Sequence, residues 1–238
     1  MSLDFLTVGA DVEAQEERDN LGSVLKSGVY PMTIKMAYFD KAKSGANNVN
    51  IVAEREDGRA YKETVYLTSA AGKNYYVDKR SGKKQTLPGY NLVNTLVQVA
   101  ADTPLAKAAV EKKMVKIYDY EKREEVPQER MVLTELTNVK VQLGVREIHE
   151  NKMAKDDNGK YTIVLPEIRE QNEIDKIFTA DGLTLSERKV GKTEPEFKAE
   201  WEGKFKGKVK DKTQAASAAP TGAVAGAPAS TAPALDLG

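Results

Sequence analysis

The sequence has no cysteine and a single histidine, His149, among its 238 residues. Without cysteine the chain cannot form disulfides, bind zinc through thiolates or use a thiol nucleophile. One histidine excludes metal centres built from several imidazoles. No apolar run approaches the length of about 18 residues that a membrane-spanning helix needs, and no secretory signal is visible at the N-terminus. We therefore expect a soluble protein that binds no metal, cofactor or membrane.

Sequence signatures of catalysis are also missing. Neither the glycine-rich phosphate loop nor the Gly-x-Ser-x-Gly nucleophile elbow occurs. A two-metal nuclease needs carboxylates that converge within a few Å, but the acidic residues 121–125 are interrupted by Lys122 and Arg123 and are typical of a solvated loop. Asp156 to Gly159 is a turn sequence, and His149 is expected to be structural or at the surface. The sequence therefore does not predict an enzyme.

Charge is balanced overall, with 36 basic and 36 acidic residues, but it is unevenly distributed. Residues 1–25 hold six acidic side chains against Arg18. Residues 28–90 hold eleven basic side chains against six acidic ones, and they also contain eight of the 16 aromatic residues. A positive excess interleaved with aromatic residues is typical of a surface that binds nucleic acid.

Composition divides the chain into three segments. Residues 1–24 form an acidic N-terminal segment, and residues 25–212 form the folded domain. The last 26 residues contain ten alanines and three prolines, with Asp236 as their one charged side chain. Such a segment buries too little apolar surface to offset its ordering entropy, so we expect residues 213–238 to be a disordered, low-complexity tail.

Apolar alternation predicts strands near residues 30–38, 49–53, 61–67, 114–119 and 139–145. A hairpin through Asp156–Gly159 is expected to return along residues 161–165. Spacing of three and four residues from Leu92 to Ala100 predicts a helix, and Thr103-Pro104 indicates the start of a second one, over about 104–113.

This order, with a helix between strands 3 and 4, is that of an OB-fold, a partly open five-stranded barrel. The sequence therefore predicts a mainly β protein with helices and an OB-fold-like barrel. An α+β sandwich with the same order of elements is the alternative.

The strongest candidate site is the polar segment 71–90. Tyrosines stack on the bases of a single strand, and basic side chains neutralise its phosphates. The alternative is an ordinary charged loop whose tyrosines pack on the domain; if the segment is extended, one of two adjacent tyrosines faces the core. The candidate residues are Lys73, Tyr75, Tyr76, Lys79, Arg80, Lys83, Lys84 and Tyr90.

A second candidate surface lies on the first three predicted strands and their loops. In OB-folds the face of strands 2 and 3 and the loop between strands 1 and 2 bind oligonucleotides. A solvated sheet face is the alternative, because antiparallel sheets commonly expose one side. The candidate residues here are Lys35, Lys41, Lys43, Arg55, Arg59, Lys62 and Tyr66.

Three aromatic residues, Phe197, Trp201 and Phe205, share a helical face near the end of the predicted domain. They indicate a short helix that docks on the domain. Alternating lysines from Lys204 to Lys212 leave a second interpretation open, in which an extended segment aligns their ammonium groups along a nucleic-acid backbone.

Several segments resemble the single-stranded DNA-binding proteins of tailed bacteriophages, over roughly residues 20–212. They are Leu25–Tyr30, Gly72–Tyr76, Leu87–Leu92, Asn172–Phe178 and the stretch from Phe197 through Trp201 to Lys208. The resemblance implies an OB-fold protein that coats single-stranded DNA during phage replication and recombination. Many such proteins end in an acidic tip that recruits partners, whereas the tip here, Ala234–Gly238, carries one Asp.

The function expected from these observations is sequence-tolerant binding of single-stranded DNA by base stacking and phosphate neutralisation. The resemblance implies the host cytoplasm as location and phage replication proteins as further partners, and we expect a monomer or homodimer. Two alternatives stay open: a strand-annealing recombination protein that uses the same surface, and a virion or interaction protein that binds no nucleic acid.

Overall fold

A computed structural model describes residues 24–119, 122–157 and 161–214, and the chain in these ranges is mainly β. The acidic segment up to residue 23 and nearly all of the predicted tail, from residue 215, lie outside the described residues. In the described ranges no helix is long and apolar enough to span a membrane.

Ten strands and three α-helices follow one another in the described ranges. The strands are β1 (Gly28–Lys41), β2 (Asn47–Arg55), β3 (Ala60–Tyr66), β4 (Tyr75–Val77), β5 (Lys84–Thr86), β6 (Val110–Asp119), β7 (Glu124–Leu133), β8 (Val139–Lys155), β9 (Tyr161–Phe178) and β10 (Lys210–Asp211). The helices are α1 (Pro88–Ala101), α2 (Leu185–Lys189) and α3 (Glu196–Phe205). Two single 3-10 turns, Leu105–Lys107 and Thr134–Leu136, complete the set.

The chain divides into two compact units. The first contains residues 24–149 and 170–211 of the described chain, and the second contains the described residues of 150–169 together with 212–214. The second unit consists mainly of the ends of β8 and β9 that flank the predicted hairpin turn. The candidate site residues all belong to the first unit.

Strand β1 organises the main sheet because it pairs with different strands along its length. The first half of β1 pairs with β8, and β2 runs antiparallel to β1 on its other side. A register shift between Ile34 and Met36 bends the strand, after which Tyr38 pairs with Val132 of β7. Strand β1 is antiparallel to β2, β7 and β8, whereas β10 runs parallel to β8.

The backbone ladder of this sheet stays open, so the expected OB-fold-like barrel is not confirmed. In the described chain β3 pairs with β2 alone. The gap beside β3 is bridged by a side chain: the Glu63 carboxylate accepts the Ile174 N–H of β9 at 3.0 and 2.9 Å. The Tyr61 hydroxyl donates to the same carboxylate. A half-buried side chain thus joins β3 to β9 where a closed barrel would use backbone pairing.

Helix α1 packs the apolar stripe that the sequence predicted, with Val93, Leu96 and Val97 fully buried. Its position differs from the prediction, because the short strands β4 and β5 form a separate hairpin between β3 and the helix. The start of the helix lies directly against β3: a Cβ on Gly89 would stand 2.1 Å from the Tyr66 carbonyl oxygen. Only glycine fits this approach.

Two predicted elements are wrong. The second helix, over 104–113, is limited to the turn Leu105–Lys107, and β6 begins at Val110. The acidic stretch expected to be a solvated loop instead enters β7 at Glu124, which pairs with Asp119 of β6. The strand predicted at 114–119 is the second half of β6, whereas the start of β6 and all of β7 were missed. In this ribbon exposed charges pair across the strands, as Lys112 does with Glu129 at 2.9 Å, so local polarity concealed those parts.

The expected docking helix is confirmed. Trp201 of α3 is 3% exposed, and its Nε1–H donates to Asp175 Oδ2 at 2.8 Å. The alternative, an extended strip of lysines, is wrong because Lys204 lies in α3 and Lys210 forms an ion pair with Glu173 at 3.2 Å.

Candidate nucleic-acid interface

The side of β1, β2 and β3 that faces away from the core carries a row of polar and aromatic side chains. Val49, Ile51 and Ala53 point into the core, so their neighbours along β2 point the other way. Cross-strand partners share a face, which extends the surface to β1 and β3. This outer face consists of Met36, Tyr38, Asp40, Asn48, Asn50, Val52, Lys62, Thr64 and Tyr66.

Hydrogen bonds fix the polar centre of the outer face. The Thr64 hydroxyl donates to Asn50 Oδ1 at 2.6 Å, and Asn50 Nδ2 donates to Asn48 Oδ1 at 3.1 Å. Tyr66 lies opposite Asn48 and is 53% exposed. The face therefore offers a flat aromatic ring beside amide and hydroxyl groups, a combination that can stack on a base and hydrogen-bond its edge.

The predicted binding segment 71–90 folds largely into the β4–β5 hairpin. Tyr75, Tyr76 and Val77 pair with Thr86, Gln85 and Lys84. Asp78 closes the turn by accepting the backbone N–H groups of Ser81 and Arg80 at 2.8 and 2.9 Å, together with the Ser81 hydroxyl. These hydrogen bonds lower the pKa of the Asp78 carboxyl, and the bond from the Ser81 N–H contributes most. The turn is therefore held by a stable carboxylate and presents its basic side chains to solvent.

The two adjacent tyrosines of the hairpin have different surroundings. Tyr76 is 42% exposed and donates its hydroxyl proton to Gln85 Oε1 at 3.0 Å. Tyr75 is half-buried, with the Lys84 ammonium 4.8 Å from its ring centroid. The expectation that one of them faces the core is wrong, because the hairpin forms its own two-stranded sheet instead of joining the main one.

One end of the main sheet gathers most of the predicted site residues. Asn47, at the start of β2, binds the segment that leads into the hairpin: its carbonyl oxygen accepts the Leu67 N–H, and its N–H donates to Thr68 Oγ1, both at 2.9 Å. We call this region the hairpin end. It comprises the end of β3, the β1–β2 loop and the β4–β5 hairpin, with the candidate residues Lys41, Lys43, Tyr66, Lys73, Tyr75, Tyr76, Lys79, Arg80, Lys83 and Lys84.

The remaining predicted residues lie elsewhere. Arg55 and Arg59 flank the β2–β3 turn at the opposite end of β2, and Lys35 lies at the β1 bulge. Lys35 forms an ion pair with Glu54 at 3.1 Å. Arg55 pairs with Asp57 at 2.7 Å and lies over the Tyr30 ring. The charges of Lys35 and Arg55 are thus compensated, which distinguishes them from the cations of the hairpin end.

The cations of the hairpin end keep their charge exposed. Across the ranges that the structure describes, none of the following forms an ion pair, and each is exposed: Lys41, Lys43, Lys73, Lys79, Arg80, Lys83 and Lys84. Lys62 shares both properties and lies four residues from Tyr66 on the outer face. An anion approaching this region meets several uncompensated positive charges.

Sequence reasoning missed the outer-face residues Tyr38, Asn48, Asn50 and Thr64. The alternation of β2 could have identified Asn48 and Asn50, since these two asparagines interleave with Val49, Ile51 and Ala53. Tyr90, which was predicted, is half-buried as the third residue of α1.

No protein-family model matches the chain, and no curated protein matches it closely enough to count as a relative. The resemblance to phage single-stranded DNA-binding proteins therefore stays an expectation, and a function has to be inferred from the residues themselves.

Proposed function

We propose that the protein binds single-stranded DNA without sequence preference, through the hairpin end and the adjoining outer face. One observation carries the proposal. Residues 41–84 include seven exposed basic side chains of the hairpin end that form no ion pair in the described ranges, together with two exposed tyrosines, Tyr66 and Tyr76, in a chain whose total charge is zero. Cations beside accessible aromatic rings are what a flexible anionic strand with unpaired bases requires.

In the proposed complex, lysines of the β1–β2 loop and of the hairpin contact successive phosphates and release their counterions. Tyr66 and Tyr76 stack on bases, a contact that tolerates any sequence because every base has a π face. Asn50 and Thr64 hydrogen-bond base edges without fixing their identity. Lys62 extends the positive charge along the outer face toward the middle of β3.

The same proposal includes a finer description of the fold and its biological setting. The proposed fold is an OB-like barrel left open beside β3, with the Glu63 bridge in place of the missing backbone pairing and the β4–β5 hairpin inserted before the helix. A role in coating single-stranded DNA during phage replication and recombination in the host cytoplasm, with replication proteins as partners, is supported by the sequence resemblance.

Fluorescence anisotropy with a labelled oligo-dT tests the proposal. The parent protein is expected to bind, and Tyr66→Ala is expected to weaken binding by about 1–3 kcal/mol, the range for one stacked base. Tyr118→Ala is the matched control, because Tyr118 lies on β6 with a comparable exposure of 48%. Melting temperatures of both variants show whether they are folded.

The proposal fails if the parent protein does not bind oligo-dT at low salt. Equal losses in Tyr66→Ala and Tyr118→Ala would move the site away from the outer face and the hairpin end.

A further inference from the structure

Three side chains of types that can ligate a metal ion converge on β8 and β9, and none of them belongs to the proposed DNA surface. Glu147 and His149 lie two residues apart on β8 and so point to the same side, and Glu170 reaches them from β9. One ligand atom from each residue lies within 4.8 Å of the others. No sequence pattern predicts a metal here, because the three residues come together only through strand pairing.

The spacing within this group matches a coordination shell. His149 Nε2 lies 3.3 Å from Glu147 Oε1 and 3.9 Å from Glu170 Oε1. Two ligands of a tetrahedral zinc ion stand roughly 3.4 Å apart, given metal–ligand distances of about 2.1 Å. The Glu170 side chain is 58% exposed, so a small rotation can bring it to that spacing. The exposed side of Glu170 also provides an entry path for an ion.

A separate observation concerns one oxygen of Glu147, which lacks a hydrogen-bond partner in the described structure. Glu147 is 2% exposed, and its Oε2 atom is buried without any hydrogen-bond partner in the described structure. An unsatisfied buried carboxylate oxygen is costly, since it has lost its water without replacement. Its companion Oε1 is the atom that contacts His149 and the Lys26 ammonium, the latter at 3.0 Å.

We propose that Glu147, His149 and Glu170 form a binding site for a divalent transition-metal ion, with Zn²⁺ as the best-matched ion. An imidazole nitrogen with two carboxylates suits Zn²⁺, whereas Mg²⁺ and Ca²⁺ prefer oxygen ligands alone. Two carboxylates neutralise the charge of the ion, and the three side chains leave a fourth position for water. The bound ion links β8 to β9.

Lys26 is the natural competitor for this site. Its ammonium neutralises Glu147 in the described structure, and its side chain is 74% exposed, so it can swing into solvent when an ion takes its place. Removal of the Lys26 charge is therefore expected to strengthen metal binding, a result that a merely structural Glu147–His149 contact would not produce.

Protein prepared without a polyhistidine tag makes the test direct, because His149 is then the sole imidazole in the chain. Its ring C–H signals are followed by proton NMR during titration with Zn²⁺, and calorimetry gives the stoichiometry. We expect one Zn²⁺ per chain and a saturable shift of the His149 signals. Mg²⁺ at the same concentration is expected to leave these signals unchanged.

Variants then assign the ligands. Glu170→Gln is expected to weaken Zn²⁺ binding at least tenfold, and Lys26→Met is expected to tighten it. Glu167→Gln is the matched control, since Glu167 is a similarly exposed carboxylate of β9 that pairs with Lys152 at 3.0 Å. Unchanged His149 signals in the parent protein at saturating Zn²⁺, or equal affinity of Glu170→Gln and the parent, would overturn the proposal.

Discussion

Among single residues, Glu63 has the surroundings that change its chemistry most. It lies on the core side of an edge strand, where burial raises the pKa of its carboxyl from 4.5 to about 7, although hydrogen bonds from Tyr61 and Ile174 act in the opposite direction. Between these two pH values the folded protein holds a proton that the unfolded chain has released. Stability therefore decreases as pH rises through this interval.

The first prediction uses this decrease of stability with rising pH. The free energy of unfolding of the parent is expected to fall between pH 5 and pH 8 relative to that of Glu63→Gln, by up to about 3 kcal/mol. Urea unfolding at several pH values measures both proteins, and other titrating groups cancel in the difference. A parent and variant with parallel pH profiles would show that Glu63 does not titrate in this range.

A second prediction at this scale concerns Tyr76, the exposed tyrosine of the hairpin. Tyr76→Ala is expected to cost about 1–3 kcal/mol of oligo-dT binding while leaving the melting temperature nearly unchanged, because the ring lies outside the core. Tyr76→Phe, which keeps the ring and removes the hydrogen bond to Gln85, is expected to retain most of the affinity. Loss of binding in Tyr76→Phe as well would indicate that the hydroxyl, not stacking, is what matters.

At the scale of elements, the β4–β5 hairpin combines a well-bonded turn with exposed charges. Asp78 fixes the turn through three hydrogen bonds, and the basic side chains around it form no ion pair in the described ranges. Charge can therefore be removed there without disturbing the folded core, so the hairpin is the element in which electrostatics and stability are most easily separated.

The third prediction uses this separation. In the double variant Arg80→Ala/Lys83→Ala, the slope of log K against log[salt] is expected to become shallower by about 1.4, at roughly 0.7 for each phosphate that the protein no longer neutralises. Lys112→Ala is the control, because Lys112 is an exposed cation of β6 already paired with Glu129. Identical slopes in the parent and the double variant would exclude the hairpin from the DNA interface.

The sequence predicted some of the strands and helices correctly and missed others. Alternation correctly predicted β1, β2 and β3, and spacing predicted α1, because each buries one side against the core. Alternation also predicted the second half of β6, but it missed the start of β6 and all of β7, because most side chains of this ribbon are exposed, which removes the contrast that alternation requires. Bends, bridges and pairings between distant segments, such as the β1 bulge and the Glu63–Ile174 bond, leave no local pattern.

At the scale of the whole molecule, zero net charge conceals two kinds of cation. Lys35 and Arg55 are compensated by nearby carboxylates of β2 and the β2–β3 turn, whereas the cations at the hairpin end have no such partners in the described ranges. Composition revealed the positive segment, but it could not tell which cations were already paired. The pairing of β2 with its neighbours shows that the predicted surface has two ends. At one end the charges of Lys35 and Arg55 are neutralised by ion pairs, and the other end can bind an anion.

The measurement that tests the central proposal most directly is the salt dependence of oligo-dT binding by the parent protein. Contact with about four to six phosphates predicts that log K falls against log[salt] with a slope of roughly −3 to −4. Anisotropy titrations from low to physiological salt give this slope. A protein that binds oligo-dT with this slope supports the account, and one that does not bind, or binds with a slope near zero, contradicts it.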